Sequence, residues 1–279
     1  MATIIAISSF VARGSVGLRA VVPALERMGH EAIACPTVLL SNHLGHRHTG
    51  GGPVSVETFS AVFEALDKNG WLGQVSAVLT GFFPSPEHVR LTEALIDRVR
   101  SLRPDALIVC DPVLGDRLEG LYVPQAVAEV VRDRLMPKAT HIKPNLFELG
   151  FLSGRPVKTL DDVAGAARAL PVPVVLASSV PLPGNRLGNV VVTPDEAGVC
   201  AVPVESDVPH GTGDLLTALF VAETLKASSG PLACAASAAA GVKAVIERSR
   251  GSDELDLSGL SPWHEAPPLS IENLAAGVS

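Results

Sequence analysis

With 279 residues, 28.9 kDa, 47% apolar and 18% charged side chains, the chain can bury roughly three quarters of its extended surface, which excludes a disordered chain or a small cross-linked scaffold. A net charge of −7 without a basic block makes nucleic acid and anionic membranes poor partners, although anions can still bind at helix N-termini. The longest uncharged stretch, Asn69 to Pro86, carries three glycines and two prolines, so it does not read as a membrane span.

Short β-rich runs alternate with amphipathic helical stretches, the pattern of βα units on a mostly parallel sheet. The opening MATIIAISSF has no basic flank and reads as a buried strand over Thr3–Ser8. Further strands are predicted over Glu31–Leu39, Ala77–Thr80, Ala106–Cys110, His141–Ile142, Val172–Ala177 and Asn189–Thr193. Helices are predicted near Gly17–Met28, Val56–Asn69, Pro86–Ser101, Pro124–Leu135, Asn145–Ser153, Leu160–Leu170, Leu215–Ala227 and Leu232–Arg248. The helix from Val56 has the clearest start, because Ser55 precedes it and Phe59, Val62, Phe63 and Leu66 fall at helical spacing. No long linker divides the chain. The expectation is one domain over 1–279, with 251–279 supplying an edge strand at Asp253–Leu257 and a tail. Cys35, Cys110, Cys200 and Cys234 are widely spaced in apolar runs, as expected for free thiols of a cytoplasmic protein.

Open α/β sheets bind ligands at the carboxyl ends of their strands. The polar residues predicted there are Ser8 with Ser9, Asp111, Asn145 with Glu148, and Ser178 with Ser179. The most informative segment is His210-Gly211-Thr212-Gly213-Asp214 ahead of an apolar helical run. Such a turn presents successive N–H groups and a helix dipole to a transferring phosphoryl group. Asp214 could there take the proton of an attacking hydroxyl, or simply start the helix. Asp111 directly follows a strand, where it could meet Mg²⁺ or close a turn. Asn145 and Glu148 lie three apart and could order the same hydrated cation, or Asn145 could cap the helix.

Gly14-Ser-Val-Gly17 sits between a strand and a helix, but it lacks the full dinucleotide spacing and the acidic residue that would hold a ribose. A nicotinamide enzyme is therefore disfavoured. His43, His46 and His48 beside Gly50-Gly51-Gly52 read as a polar lid over a cleft, since no cysteine or carboxylate nearby completes a zinc set.

Taken together, these segments resemble the pyridoxal kinases of the ribokinase-like superfamily. The resemblance rests on Ile7-Ser8-Ser9, Ser41-Asn42-His43, Leu79-Thr80-Gly81-Phe82, Cys110-Asp111-Pro112-Val113-Leu114-Gly115-Asp116, Tyr122-Val123-Pro124, Pro144-Asn145 with Glu148, Ser178-Ser179 and Gly211-Thr212-Gly213-Asp214. It implies a three-layer α/β/α sandwich that transfers phosphate from ATP to the 5′-hydroxymethyl of pyridoxal and related B6 vitamers, giving pyridoxal 5′-phosphate in B6 salvage. Asp214 would be the catalytic base, and Gly211, Thr212 and Gly213 the anion hole. Asp111 and Glu148 would organise Mg²⁺ through water, with Asn145 and Thr212 near the ATP phosphates. Asp116 and Tyr122 would belong to the segment covering ATP, and Ser178 would contact the nucleotide. Ser9, Val16, Val38 and Phe82 would hold the pyridine ring. A cytoplasmic homodimer, often helped by K⁺, is the implied state.

The chain departs from that pattern at Leu44 (usually Thr), at Phe82 (usually Tyr), and at Lys143 and Ala177 (both usually Thr). Lys143 could place a charge near phosphate or extend to solvent. Two other readings compete: a kinase of the same fold acting on hydroxymethylpyrimidine or a similar heteroaromatic alcohol, and a catalytically silent B6- or nucleotide-binding protein.

Overall fold

The computed structural model describes residues 1–226, 228–258 and 263–274. Its strands are β1 (Thr3–Val11), β2 (Glu31–Leu40), β3 (Gly51–Pro53), β4 (Val75–Thr80), β5 (Leu107–Cys110), β6 (Gly115–Asp116), β7 (Gly120–Leu121), β8 (His141–Ile142), β9 (Val174–Leu182), β10 (Arg186–Val192), β11 (Ala197–Pro203) and β12 (Glu272–Asn273). Its helices are α1 (Leu18–Arg27), α2 (Val56–Lys68), α3 (Pro86–Leu102), α4 (Gln125–Val130), α5 (Leu146–Ser153), α6 (Leu160–Arg168), α7 (Thr212–Leu225) and α8 (Pro231–Arg248).

Ten strands form one sheet in the order β12-β11-β10-β9-β8-β5-β4-β1-β2-β3, while β6 and β7 make a separate hairpin. The six central strands, from β9 to β2, are mutually parallel, and antiparallel strands extend both sides. Isoleucines 4, 5 and 7 of β1 are wholly buried, because helices cover both faces and leave no solvent side to a central strand. One layer packs α1, α7 and α8 against the sheet, and the other packs α2 to α6. This is the expected three-layer sandwich. Helix α7 is buried continuously from Leu215 to Ala222, as befits a helix enclosed by the sheet and its neighbours. The small buried alanines of α8 let it approach closely.

Side-chain caps open α2, α5 and α6. The Ser55 hydroxyl accepts the Thr58 N–H and caps α2, and Thr159 with Asp162 forms a capping box on α6. The expected helix Pro124–Leu135 is instead α4 followed by a π-turn over Val131–Leu135 and a 3₁₀ turn over Met136–Lys138. Pro137 lacks an N–H and cannot extend an α-helical ladder there.

Residues Asp253–Leu257 do not form the expected edge strand. Leu255 is buried and its carbonyl accepts the Ser15 hydroxyl, while the Asp256 N–H donates to Ser249. The segment is thus fastened to loops, and the edge is closed by β12 beside β11. Strand β11 escapes the sequence reading because its glycine and alanines weaken the β signal. All four cysteines are buried free thiols, and among the described residues no helix is long and apolar enough to cross a membrane.

Candidate active site

Strand order reverses about β1, whose neighbours β2 and β4 lie on opposite sides, and such a switch point opens a crevice at the carboxyl ends. Ser8 and Ser9 end the well-paired part of β1, and the Ser8 hydroxyl accepts the Phe82 N–H just past β4. The Thr37 hydroxyl of β2 donates to the Phe82 carbonyl at 2.8 Å. Ser9, Val38 and Phe82 are thereby gathered on three adjacent strand ends, with Val16 on the turn leading into α1.

Gly211 has φ +101°, and a Cβ there would stand 1.9 Å from the Ser15 carbonyl oxygen. Only glycine fits, so the chain turns sharply before α7 and leaves the Thr212 and Gly213 amides at a helix start. Asp214 in that first turn is held from across the crevice, because its Oδ2 accepts the Gly17 N–H at 2.9 Å. Gly17 is itself constrained: φ is +55° and a Cβ would lie 2.3 Å from the Ser9 carbonyl oxygen. Burial, with the Asp111 charge adding to it, raises the Asp214 carboxyl to about 6, against the pull of the Gly17 N–H and Lys143.

Asp111, immediately after β5, is buried. Its Oδ2 accepts the Thr217 hydroxyl at 2.6 Å and pairs with Lys143 Nζ at 3.0 Å. The Lys143 side chain is only 7% exposed, so it does not extend to solvent. Burial alone would lower Lys143, but Asp111, Glu148 and Asp214 outweigh it and keep the ammonium charged. Glu148 is 2% exposed; Oε1 accepts the Leu114 N–H and Oε2 the Asn145 N–H. Burial pushes it up to about 7, with Lys143 opposing. Asn145 returns the contact by accepting the Glu148 N–H, a capping box on α5, and its amide donates to the Gly115 carbonyl. Asn145 thus caps α5 and also lines a cavity.

Asp111, Tyr122, Lys143, Asn145, Glu148 and Asp214 line one small cavity together with Gly213. Ser178 lines a second cavity with Thr212, Gly213, Asn189 and Lys243, and it bridges to Asn145. Gly213 belongs to both, so the two cavities meet at the start of α7. Ser178 was expected at a strand end, but β9 continues through Ser179 at φ +58°. Asp116 faces its own hairpin: its carboxylate accepts the Tyr122 hydroxyl and the Leu118 and Glu119 N–H groups, closing the β6–β7 flap. Tyr122, and not Asp116, reaches the cavity.

Residues 41–50 join β2 to β3, and this loop meets the segment ahead of α7 through His43 and His210. Asn42 ties it internally through His43, His48 and Thr49, and the Ser41 hydroxyl accepts the Gly50 N–H. The His43 ring lies 4.3 Å from both the His46 and the His210 rings, and His46 approaches Glu254 at 3.9 Å. Burial and the two neighbouring imidazoles lower the His43 pKa. Among the described residues no group of three or more His, Cys, Asp or Glu side chains could hold a metal ion.

Mg²⁺ can be tested against the donors present. Asp111 and Glu148 are hard oxygen donors, but Lys143 occupies one Asp111 oxygen and both Glu148 oxygens accept backbone N–H groups. The set fits a hydrated Mg²⁺ carried mainly by nucleotide phosphates. Sequence reasoning did not single out Thr217. Thr217 stands three residues after Asp214, hence on the same helix face, and that spacing was the available signal.

Residues 12–254 match the model of the phosphomethylpyrimidine kinase family. A pyridoxine/pyridoxal/pyridoxamine kinase from Bordetella avium is 34% identical over 232 residues, covering 81% of this chain and 78% of that protein. A pyridoxal kinase PdxY from Deinococcus radiodurans is 33% identical over 278 residues, covering 95% and 93%. The pyridoxal kinase from Leishmania donovani, solved with ADP and pyridoxamine, superposes with a TM-score of 0.91 at 27% identity, covering 98% of this chain and 100% of that one. With the family model spanning most of the chain, and relatives of this similarity along its length, the chain belongs to the phosphomethylpyrimidine kinase family, among the pyridoxal kinases of the ribokinase-like fold.

Proposed function

We propose that this chain uses ATP to phosphorylate the 5′-hydroxymethyl group of pyridoxal, and of pyridoxine and pyridoxamine, forming the 5′-phosphates. The observation that carries the reading is the Asp214 carboxylate at the anion turn, buried, raised to about 6 and anchored by the Gly17 N–H. A base of that pKa is mostly ionised at neutral pH yet still takes a proton readily. The acceptor hydroxyl oxygen forms a bond to the γ-phosphorus while the bond from that phosphorus to the β–γ bridging oxygen breaks. The hydroxyl proton passes to Asp214, and ADP leaves. The Gly211–Gly213 amides receive the charge on the transferring group.

Asp111 and Glu148 would hold water around an Mg²⁺ accompanying the nucleotide, and that ion would supply neutralising charge to the phosphates. Ser178 and Thr212 line the nucleotide side, and Tyr122 on its flap covers it. Ser9, Val16, Val38 and Phe82 form the ring side under the 41–50 loop. Residues 1–279 act as one kinase domain, in a cytoplasmic homodimer. K⁺ assistance is part of the same reading.

The description of the matching family keeps a second reading in view: hydroxymethylpyrimidine as the acceptor alcohol. A coupled assay for ADP release, run over pyridoxal, pyridoxine, pyridoxamine and hydroxymethylpyrimidine, separates the two. The B6 vitamers are expected to have the highest kcat/KM. Dominant turnover of hydroxymethylpyrimidine transfers the assignment, and no ADP release with any of them leaves a binding protein.

A further inference from the structure

The reaction as derived uses carboxylates, backbone amides and a hydrated metal, and leaves one buried charge unexplained. Lys143 follows β8, and its side chain runs into the site instead of outward. Nζ lies 3.0 Å from Asp111 Oδ2 and 3.3 Å from the position a Cβ would take on Gly213, in the first turn of α7. It therefore stands between the end of β5 and the anion turn, inside the cavity shared by Asp111, Glu148 and Asp214.

Three carboxylates around one ammonium leave that cavity with an excess of negative charge when all are ionised. A polyphosphate entering such a place meets repulsion unless fixed positive charge points at it. The α7 N-terminus supplies about half a charge, and Lys143 is the cation beside it. An ammonium on a flexible stem is a compact point charge with three donors, so one contact to Asp111 leaves others for a phosphate oxygen.

We propose that Lys143 is a phosphate-binding residue of the transfer site: locked by Asp111 beside the anion turn, it holds the ATP polyphosphate there independently of the divalent metal. This rests on the kinase reading above. Asp111 then has two tasks, aiming Lys143 through one oxygen and facing the hydrated metal with the rest of its carboxylate. The family's usual threonine at this position offers no charge, so the role belongs to this chain's own departure from the pattern.

The test is ATP binding by isothermal titration calorimetry on the full chain, once in Mg²⁺ and once in excess EDTA. Wild type is expected to bind ATP in both. Lys143→Met should weaken binding in EDTA by at least about tenfold, the scale of a charge-assisted hydrogen bond, and by less in Mg²⁺, where the metal supplies charge. Lys143→Arg should stay within a few-fold of wild type. Because Lys143→Met strands the buried Asp111 charge, Asp111→Asn with Lys143→Met provides a folded comparison, checked by its melting curve. A structural role for Lys143 lowers affinity equally in Mg²⁺ and EDTA, and that result overturns the proposal. So does wild type that binds ATP in Mg²⁺ but not in EDTA, or Lys143→Met that binds as wild type does. Wild type that binds ATP in neither condition instead defeats the kinase reading.

Discussion

The two sides of the crevice that we assign to phosphoryl transfer and to the acceptor alcohol are built differently. On the transfer side, Asp111 is 4% exposed, Lys143 5% and Glu148 2%, and each is fixed by partners from another element. On the acceptor side, the 41–50 loop is mostly exposed, Leu44 reaches 68%, and the side-chain contacts are internal to the loop, between imidazole rings, or the 3.9 Å approach of His46 to Glu254. Buried charges hold one geometry because any unmatched charge there is costly. An exposed loop has no such penalty, so recognition can vary while the chemistry stays in place.

The largest expected effect lies on the transfer side. Asp214→Asn should lower kcat by about 10²- to 10⁴-fold while ATP binding stays within a few-fold. Steady-state kinetics beside calorimetry check this, and more than about a third of wild-type kcat would remove Asp214 from its role as base.

Gly17→Ala comes next, since it touches no substrate yet displaces the N–H that anchors Asp214. The strain at φ +55° and the clash with the Ser9 carbonyl should cost about 1–3 kcal/mol of stability. The rate should fall by roughly tenfold or more through the misplaced base. A variant with normal kcat and a lowered melting temperature would mean that this N–H holds the fold alone.

The raised carboxyls couple catalysis to pH. Asp214 must be ionised to accept a proton, so kcat should fall as pH drops through about 6. For stability the sign is opposite. A folded pKa above the ordinary 3.8 gives a contribution that is full below about 4 and lost as pH rises through about 6. Asp214→Asn should therefore melt a few degrees above wild type at pH 7.5, a difference that shrinks toward pH 4. Equal melting temperatures at both values would show that its burial is already compensated.

The smallest effect belongs to the acceptor side. Leu44→Thr with Phe82→Tyr should lower KM for pyridoxal by a few-fold and leave kcat nearly unchanged, since a single added hydrogen bond contributes about 0.5–1.5 kcal/mol. A raised KM would sharpen the contrast differently: the crevice would then be shaped for another ring.

What was legible in the sequence is what local chemistry dictates. Apolar runs bounded by turns marked β1, β2, β4, β5 and β8. Helical spacing with caps such as Ser55 marked the helices, and Gly211-Thr212-Gly213-Asp214 marked a glycine turn at a helix start, because glycine and helix-start preferences are properties of neighbouring residues. The tertiary structure alone decided which distant residues meet. Gly17 reaches Asp214 across 197 positions, and Thr217 reaches Asp111 across 106. Lys143, left between solvent and phosphate by its sequence, is turned inward because buried Asp111 requires a counter-charge. The expected Asp253–Leu257 strand failed for a related reason. A segment can join a finished sheet only at an open edge, and this one found loop contacts at Ser15 and Ser249 while β12 took the open edge beside β11.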